Sequence, residues 1–240
     1  MSMKMSNISF DFTSKKVIVF GGSRGIGKEV CRQFKIAGAE VYCAARTDCD
    51  IEGVNNIYCD ISKPGNIWNL FHNFGNVDYI INVAGTNLCE PIENITLSEW
   101  ERLMNVNLRS FFLICKHAVA LMKDTGGRIV NVSSIAGRNK SIVSGTHYTS
   151  SKYGIIGLTK QLANEVSKYD ILVNCVCPSQ TMTEMLAESM TDEQLADLEE
   201  KIPVRRIATT REQALPILFL CSDAATYISG AALDINGGQL

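Results

Sequence analysis

The 240-residue sequence lacks an excess of charge of either sign. It has 23 Lys and Arg against 25 Asp and Glu, which gives a formal net charge of −2. A chain this close to neutrality has no overall electrostatic attraction to nucleic acid or to anionic lipid, and its Lys and Arg form no basic run. We therefore expect neither a nucleic-acid partner nor a membrane partner.

Long apolar runs are also missing. No stretch approaches the roughly 18–20 apolar residues that are needed to span a bilayer. The polar and mixed segment 1–12 lacks the apolar core of a secretory signal. Together these two absences predict a cytoplasmic protein.

Paired cysteine motifs are absent as well, although the sequence has nine cysteines. They are odd in number and scattered, and most lie inside apolar runs, whereas a secreted disulfide framework would be denser and paired. Cys175 and Cys177 are separated by one residue, with no second Cys or His pair near them. We interpret the cysteines as buried, reduced, small apolar side chains, and we predict no metal site.

Short apolar runs alternate with helical patterns along the whole chain, which predicts βαβ units and a parallel sheet covered on both faces. The fold class is therefore α/β: a single Rossmann-type, doubly wound parallel sheet of about seven strands, with residues 1–240 forming one domain. Hydrophobic residues make up 46% of the chain, enough for one large core. We expect strands at 17–20, 40–45, 56–59, 77–83, 128–132, 171–176 and 231–235, and helices from 26 to about 37 and over 63–74, 97–123, 148–168, 181–201 and 211–221.

A glycine-rich turn joins the first predicted strand to the first helix. Gly21 permits a sharp turn, Gly25 leaves room for a pyrophosphate against the backbone, and Gly27 lets the helix pack close to the sheet. The free N–H groups at the start of the helix would then face the phosphates. We expect Ser23, Arg24 and Ile26 of the same turn to contribute to cofactor binding.

The Gly-x-x-x-Gly-x-Gly spacing of this turn resembles that of the short-chain dehydrogenase/reductase family. The resemblance covers nearly the whole chain and implies a nicotinamide cofactor. It places Asp60 and Ile61 at the adenine ring and Asn82, Ala84 and Gly85 beside the cofactor, with Asn82 alternatively a strand-end residue that holds the sheet together. It also assigns Pro178, Thr181 and Thr183, after the sixth strand, to the nicotinamide and pyrophosphate.

The end of the second strand predicts whether the cofactor carries a 2′-phosphate. NAD-binding folds place an acidic residue there to bind the ribose hydroxyls, but this sequence has Ala45, followed by Arg46. Arg46 and Arg24 would favour a 2′-phosphate, which predicts NADP(H). The alternative is that both arginines are solvated surface residues, and the nearby Asp48 and Asp50 would weaken the positive field.

The candidate catalytic pair is Tyr148 and Lys152, whose spacing puts both side chains on one face of a helix. A nearby ammonium would lower the pKa of the phenol, which is ordinarily near 10, and so permit proton exchange. The family resemblance adds Ser134, with Ser133 as the competing candidate, to hold the substrate oxygen. It also adds Asn107 to hold a water in a proton relay, and it places Tyr148 and Lys152 against the cofactor.

These residues predict an NADP(H)-dependent oxidoreductase that interconverts a ketone and a secondary alcohol. The 3-oxoacyl-thioester reductases are the most similar branch, although Thr125 and Tyr169 stand where reductases that serve acyl carrier protein have arginines. A sugar, polyol or specialised-metabolite ketone is the alternative substrate, and a non-catalytic, cofactor-binding regulatory protein is the alternative of another class. The resemblance further implies self-association as a homotetramer or homodimer.

Overall fold

Seven parallel strands form one sheet in the computed structural model, which describes residues 9–141 and 143–240. The first eight residues of the polar N-terminal segment lie outside that range. The sheet order is β3-β2-β1-β4-β5-β6-β9, and this arrangement confirms the predicted fold class. The strands are β1 (Lys16–Phe20), β2 (Glu40–Ala45), β3 (Asn55–Tyr58), β4 (Tyr79–Asn82), β5 (Gly127–Val132), β6 (Ile171–Pro178) and β9 (Ala232–Ile235); β7 (Thr181–Met182) and β8 (Ala208–Thr209) pair separately.

Helices cover both faces of the sheet, so the central strands are buried on both sides. Alternate residues of β1 supply the two cores: Val17 and Val19 pack on one face, Ile18 and Phe20 on the other. This burial explains why the central strands are nearly pure apolar runs. The helices are α1 (Gly25–Ile36), α2 (Pro64–Asn73), α3 (Leu97–Met104), α4 (Ser110–Met122), α5 (Thr146–Val166), α6 (Glu184–Ser189), α7 (Asp192–Glu200) and α8 (Thr210–Cys221).

The long helix expected over 97–123 is present, but it contains a π-helical turn at Asn105–Arg109 between α3 and α4. Thr96 begins the helix with a reciprocal capping box to Glu99. The π-turn widens the helix by one residue per turn, and such turns are frequent at functional sites. It contains the predicted site residue Asn107.

The single helix predicted over 181–201 is wrong. The segment begins with strand β7 and then forms two helices, α6 and α7, because Met190 is extended and Thr191 starts a new helix. The Thr191 hydroxyl accepts a hydrogen bond from the Gln194 N–H, and the Gln194 side-chain oxygen accepts one from the Thr191 N–H. This capping box satisfies donors that a continuous helix would have bonded within itself.

The carboxyl ends of β1, β4, β5 and β6 meet at one edge of the sheet, where the strand order reverses between β1 and β4. In open α/β sheets, ligands bind in the crevice outside such an edge. None of the helices within 9–141 and 143–240 has both the length and the hydropathy of a membrane span.

Candidate active site

The glycine turn is shaped by contacts that exclude larger side chains. Gly21 has a φ of +87°, and a Cβ added to Gly27 would lie 2.0 Å from the Gly21 carbonyl oxygen. Gly25 also has a positive φ, and a Cβ there would lie 3.3 Å from the Thr183 methyl group. These contacts let α1 start directly above the end of β1.

The first turn of α1 presents backbone donors that no side chain satisfies. Arg24 stands at the N-cap position and makes no side-chain cap hydrogen bond, and the first turn has no acidic residue. Uncapped N–H groups and the positive end of a helix dipole form a site for an anion. The turn therefore fits the pyrophosphate of a dinucleotide.

Ser134 and Tyr148 meet at the end of β5. The Ser134 hydroxyl lies close enough to the Tyr148 hydroxyl to lower the pKa of the phenol, and it accepts a hydrogen bond from the Ala136 N–H at 3.1 Å. Ser133, the competing candidate, is buried and donates instead to the Lys152 carbonyl oxygen at 2.8 Å. Ser134 is thus the serine that faces the phenol, and Ser133 ties the end of β5 to α5.

Lys152 lies one helical turn after Tyr148 and is buried. Its ammonium donates to the Val132 carbonyl oxygen at 3.0 Å and lies 5.5 Å from the centre of the Tyr148 ring. Burial lowers the pKa of Lys152 to about 8. The ammonium is therefore held between the end of β5 and the phenol ring, and its pKa lies close to neutral pH.

The pKa of Tyr148 departs from the expectation. Burial raises it above the ordinary value, and the hydrogen bond from Ser134 opposes this rise. The net lowering that the sequence predicted from Lys152 is not seen, because burial dominates the pKa of the phenol. The phenol therefore stays protonated at neutral pH in this structure.

Asn107 is fully buried in the π-turn and holds the segment that follows β4. Its side-chain oxygen accepts from the Thr86 N–H at 2.8 Å, and its amide donates to the Thr86 carbonyl at 2.8 Å and to the Ser151 hydroxyl at 3.3 Å. A Cβ added to Gly85 would lie 3.5 Å from this oxygen and 3.7 Å from the Lys152 ammonium. Asn107 is therefore a positioning residue for Gly85 and Thr86, and its expected place in a proton relay stays a prediction.

The side chain of Asn82 is fully buried, and its assignment to the cofactor stays a prediction. Its amide donates to the Asn131 side-chain oxygen at 2.7 Å, and Asn131 in turn donates to the Thr159 hydroxyl at 3.0 Å. These bonds join β4, β5 and α5 beneath the cleft. Asn82 has the sheet-holding role that the sequence left as the alternative, while Ala84 and Gly85 retain solvent-accessible surface.

The opposite end of the crevice, at the carboxyl end of β2, is exposed. Neither Arg24 nor Arg46 makes a side-chain hydrogen bond or ion pair with any residue in the described part of the chain. The Thr47 hydroxyl donates to the Ser23 hydroxyl at 3.1 Å, which links the glycine turn to this strand end. Two free guanidinium groups therefore border the place where a ribose phosphate would lie.

The adenine end and the segment after β6 complete the crevice. Burial opposes ionisation of Asp60. Hydrogen bonds from Ser62 outweigh this effect and lower the pKa of the Asp60 carboxyl group, which accepts from the Ser62 N–H at 3.0 Å.

Thr181 is nearly buried and donates to the Ser179 carbonyl. Thr183 caps α6 through the Leu186 N–H. The remaining predicted residues in these segments are Ile61, which is nearly buried, and Pro178 at the end of β6.

The sequence did not identify Thr86, Ser151 or the Val132 carbonyl as parts of the site. A backbone group such as the Val132 carbonyl cannot be recognised from the residue type. Thr86 belongs to the site only because the π-turn brings Asn107 against it. Ser151 stands inside the Tyr148–Lys152 interval, where its hydroxyl also donates to the Tyr148 carbonyl at 2.7 Å. Its position one residue before Lys152 was the signal that could have found it.

The sheet order and the uncapped glycine turn define a dinucleotide-binding α/β protein. A family model described as enoyl-(acyl carrier protein) reductase matches residues 21–239. The chain belongs to the short-chain dehydrogenase/reductase family and is an oxidoreductase of the EC 1.1.1 type.

Curated relatives match over nearly their whole length. The 3-oxoacyl-[acyl-carrier-protein] reductase FabG of Salmonella typhimurium is 32% identical over 241 residues, covering 95% of this chain and 98% of the relative. FabG of Chlamydia trachomatis is 33% identical over 243 residues, covering 94% and 97%. This chain is similar to those reductases throughout.

Solved structures share the fold at lower identity. A putative NAD(P)-dependent gluconate 5-dehydrogenase from Beutenbergia cavernae with bound NADP has a TM-score of 0.90 at 28% identity, covering 97% of this chain and 99% of that one. The aldohexose dehydrogenase of Thermoplasma acidophilum has a TM-score of 0.88 at 28% identity, covering 95% and 94%. The relatives thus differ in the substrates that their names record.

Proposed function

We propose that the protein is an NADP(H)-dependent reductase of ketones, with a 3-oxoacyl thioester as its substrate class. The neighbouring hydroxyls of Ser134 and Tyr148 carry this proposal, because together they can offer two donors to one substrate oxygen. The similarity to 3-oxoacyl reductases over nearly the whole chain supports the thioester. A nicotinamide cofactor held at the glycine turn would supply the hydride in reduction and accept it in oxidation.

The residues of the site divide the proton chemistry among them. Ser134 donates to the carbonyl oxygen and stabilises the negative charge that develops there. Tyr148 gives its proton to that oxygen, a role that suits a phenol kept protonated by burial. Lys152 holds a positive charge near the phenol and favours its ionised form once the proton has left.

The cofactor preference rests on the exposed arginines. Arg24 and Arg46 are free to pair with a 2′-phosphate, and no acidic side chain stands at Ala45 to bind an unmodified ribose. The structural relative with bound NADP supports the same preference. Arg46 also interacts with the Asp60 carboxylate, which places its charge near the predicted adenine contact.

A keto sugar is the second candidate substrate, because the two structural relatives are named as an aldohexose dehydrogenase and a gluconate dehydrogenase.

Thr125 and Tyr169 replace the arginines expected for carrier-protein recognition. We therefore expect the protein to reduce an acetoacetyl thioester of coenzyme A and of acyl carrier protein with similar kcat/KM. We further propose that it assembles as a homotetramer or homodimer and acts in the cytoplasm.

The test is a substrate panel followed through the absorbance of the reduced nicotinamide. NADPH and NADH are each assayed with acetoacetyl thioesters and with keto sugars, and we expect NADPH-dependent reduction of the thioesters. Ser134→Ala should lower kcat by about 10²–10³, whereas the matched variant Ser133→Ala should retain most of it. Equal losses in the two variants, or reduction of keto sugars alone, would overturn the proposal.

A further inference from the structure

Three cysteines that are far apart in the sequence meet behind the glycine turn. Cys31 comes from α1, Cys43 from β2, and Cys49 from the loop after β2. Their sulfur atoms all lie within 4.8 Å of one another, and all three residues are buried. We call this set the thiol triad.

The thiol triad lies directly under the phosphate turn. A Cβ added to Gly22 would lie 2.6 Å from the Cys31 sulfur and 3.0 Å from the Cys43 sulfur. The surrounding core is apolar and includes Val30, Phe34 and Val41. Within 9–141 and 143–240, no His, Asp, Glu or further Cys joins the three sulfurs in one ligand group.

We propose that Cys31, Cys43 and Cys49 form a three-coordinate binding site for a soft monovalent cation of the Cu(I) class. Thiolate sulfurs select soft cations, and a structural zinc site would need a fourth ligand that the described residues do not place here.

Binding of a metal ion would require little movement of the three sulfur atoms. Metal–sulfur bonds of about 2.3 Å in a trigonal arrangement place the sulfurs about 4 Å apart. The observed separations of up to 4.8 Å must therefore close by less than about 1 Å, a change within reach of side-chain rotation. The spacing of these cysteines gave no such indication in the sequence, since α1 and the loop after β2 bring them together only in the fold.

The test is an anaerobic titration of the reduced full chain with Cu(I), in competition with a chromophoric Cu(I) chelator. We expect the protein to retain one equivalent and each of Cys31→Ala, Cys43→Ala and Cys49→Ala to bind at least tenfold more weakly. Cys177→Ala, which breaks the other buried thiol pair, and Cys89→Ala, which removes an exposed thiol, are matched controls. We expect both controls to bind within twofold of the unmodified protein.

X-ray absorption on the unmodified protein gives a second measurement that needs no variant to fold. We expect three sulfur atoms around the copper and no oxygen or nitrogen. Failure to retain Cu(I), binding that is lost in Cys177→Ala or Cys89→Ala, or a two-sulfur site would each overturn the proposal. The cysteines would then be apolar core residues alone.

Discussion

The two ends of the crevice are built in opposite ways. The Ser–Tyr–Lys corner (Ser134, Tyr148 and Lys152) is largely buried, and its ammonium is hydrogen-bonded to the end of β5. The β2 edge (Ser23, Arg24, Arg46 and Thr47) is mostly exposed, and its arginines make no side-chain hydrogen bond or ion pair in the described part of the chain.

This difference separates the chemistry from the choice of cofactor. Burial at the corner moves the pKa values of Tyr148 and Lys152 away from their ordinary values, because charged groups lose their hydration there. At the β2 edge, water screens the arginines, so each contributes a modest and separable amount. We therefore expect substitutions at the corner to have much larger effects than substitutions at the edge.

Tyr148→Phe should have the largest effect on activity. Loss of the phenolic proton removes the general acid, so kcat should fall by about 10²–10⁴. Steady-state rates with NADPH measure this fall, while fluorescence titration should show a coenzyme Kd within about twofold of the unmodified protein. Retained activity would mean that the proton comes from another group.

Lys152→Met should remove activity and raise stability at neutral pH. The buried ammonium has a pKa of about 8 in the fold, against about 10.4 in an unfolded chain, so its charge costs up to about 3 kcal/mol of folding free energy. This cost is fully present below pH 8 and disappears as the pH rises toward 10.4, because neither state is then protonated.

Denaturant unfolding at a series of pH values measures this effect. The stability gain of Lys152→Met should shrink between pH 8 and pH 10. Lys160→Met, an exposed position on the same helix, is the matched control and should change stability by less than about 0.5 kcal/mol at every pH. A gain that does not depend on pH would contradict the assigned cause.

Arg46→Ala should narrow the preference for NADPH over NADH by about tenfold. A charge-assisted hydrogen bond to a phosphate is worth about 1.5–3 kcal/mol, and exposure of Arg46 favours the lower end of this range. The ratio of kcat/KM for the two coenzymes measures the change. Arg102→Ala, an exposed arginine on α3, should leave the ratio unaltered; an unchanged ratio in Arg46→Ala would contradict the assignment of NADP(H).

Thr47→Val should have the smallest effect. It removes the exposed hydrogen bond to Ser23, which is worth about 0.5–1.5 kcal/mol, so the coenzyme KM should rise a few-fold with kcat unchanged. Ser23→Ala breaks the same bond, and the double variant should show little further loss. Fully additive effects would indicate that the two hydroxyls act independently.

Much of the site was predictable because residue type and spacing carry its chemistry. The i, i+4 spacing of Tyr148 and Lys152 places both on one face of α5, and the glycine spacing at 21–27 predicted the turn. Asn82 was assigned to the cofactor through the family resemblance, with the sheet-holding role as the alternative. Its burial against Asn131 could not be predicted from the sequence, since the two residues lie 49 positions apart.

The order of apolar runs and helical periods determined the doubly wound sheet, because a parallel strand must be buried on both faces and its connection must cross over through a helix. Only the tertiary structure decided how the side chains pair: which serine meets the phenol, where the Lys152 ammonium binds, and which cysteines share one place. These outcomes depend on distances between elements remote in the chain, and burial at those meeting points sets the pKa values that a linear sequence does not contain.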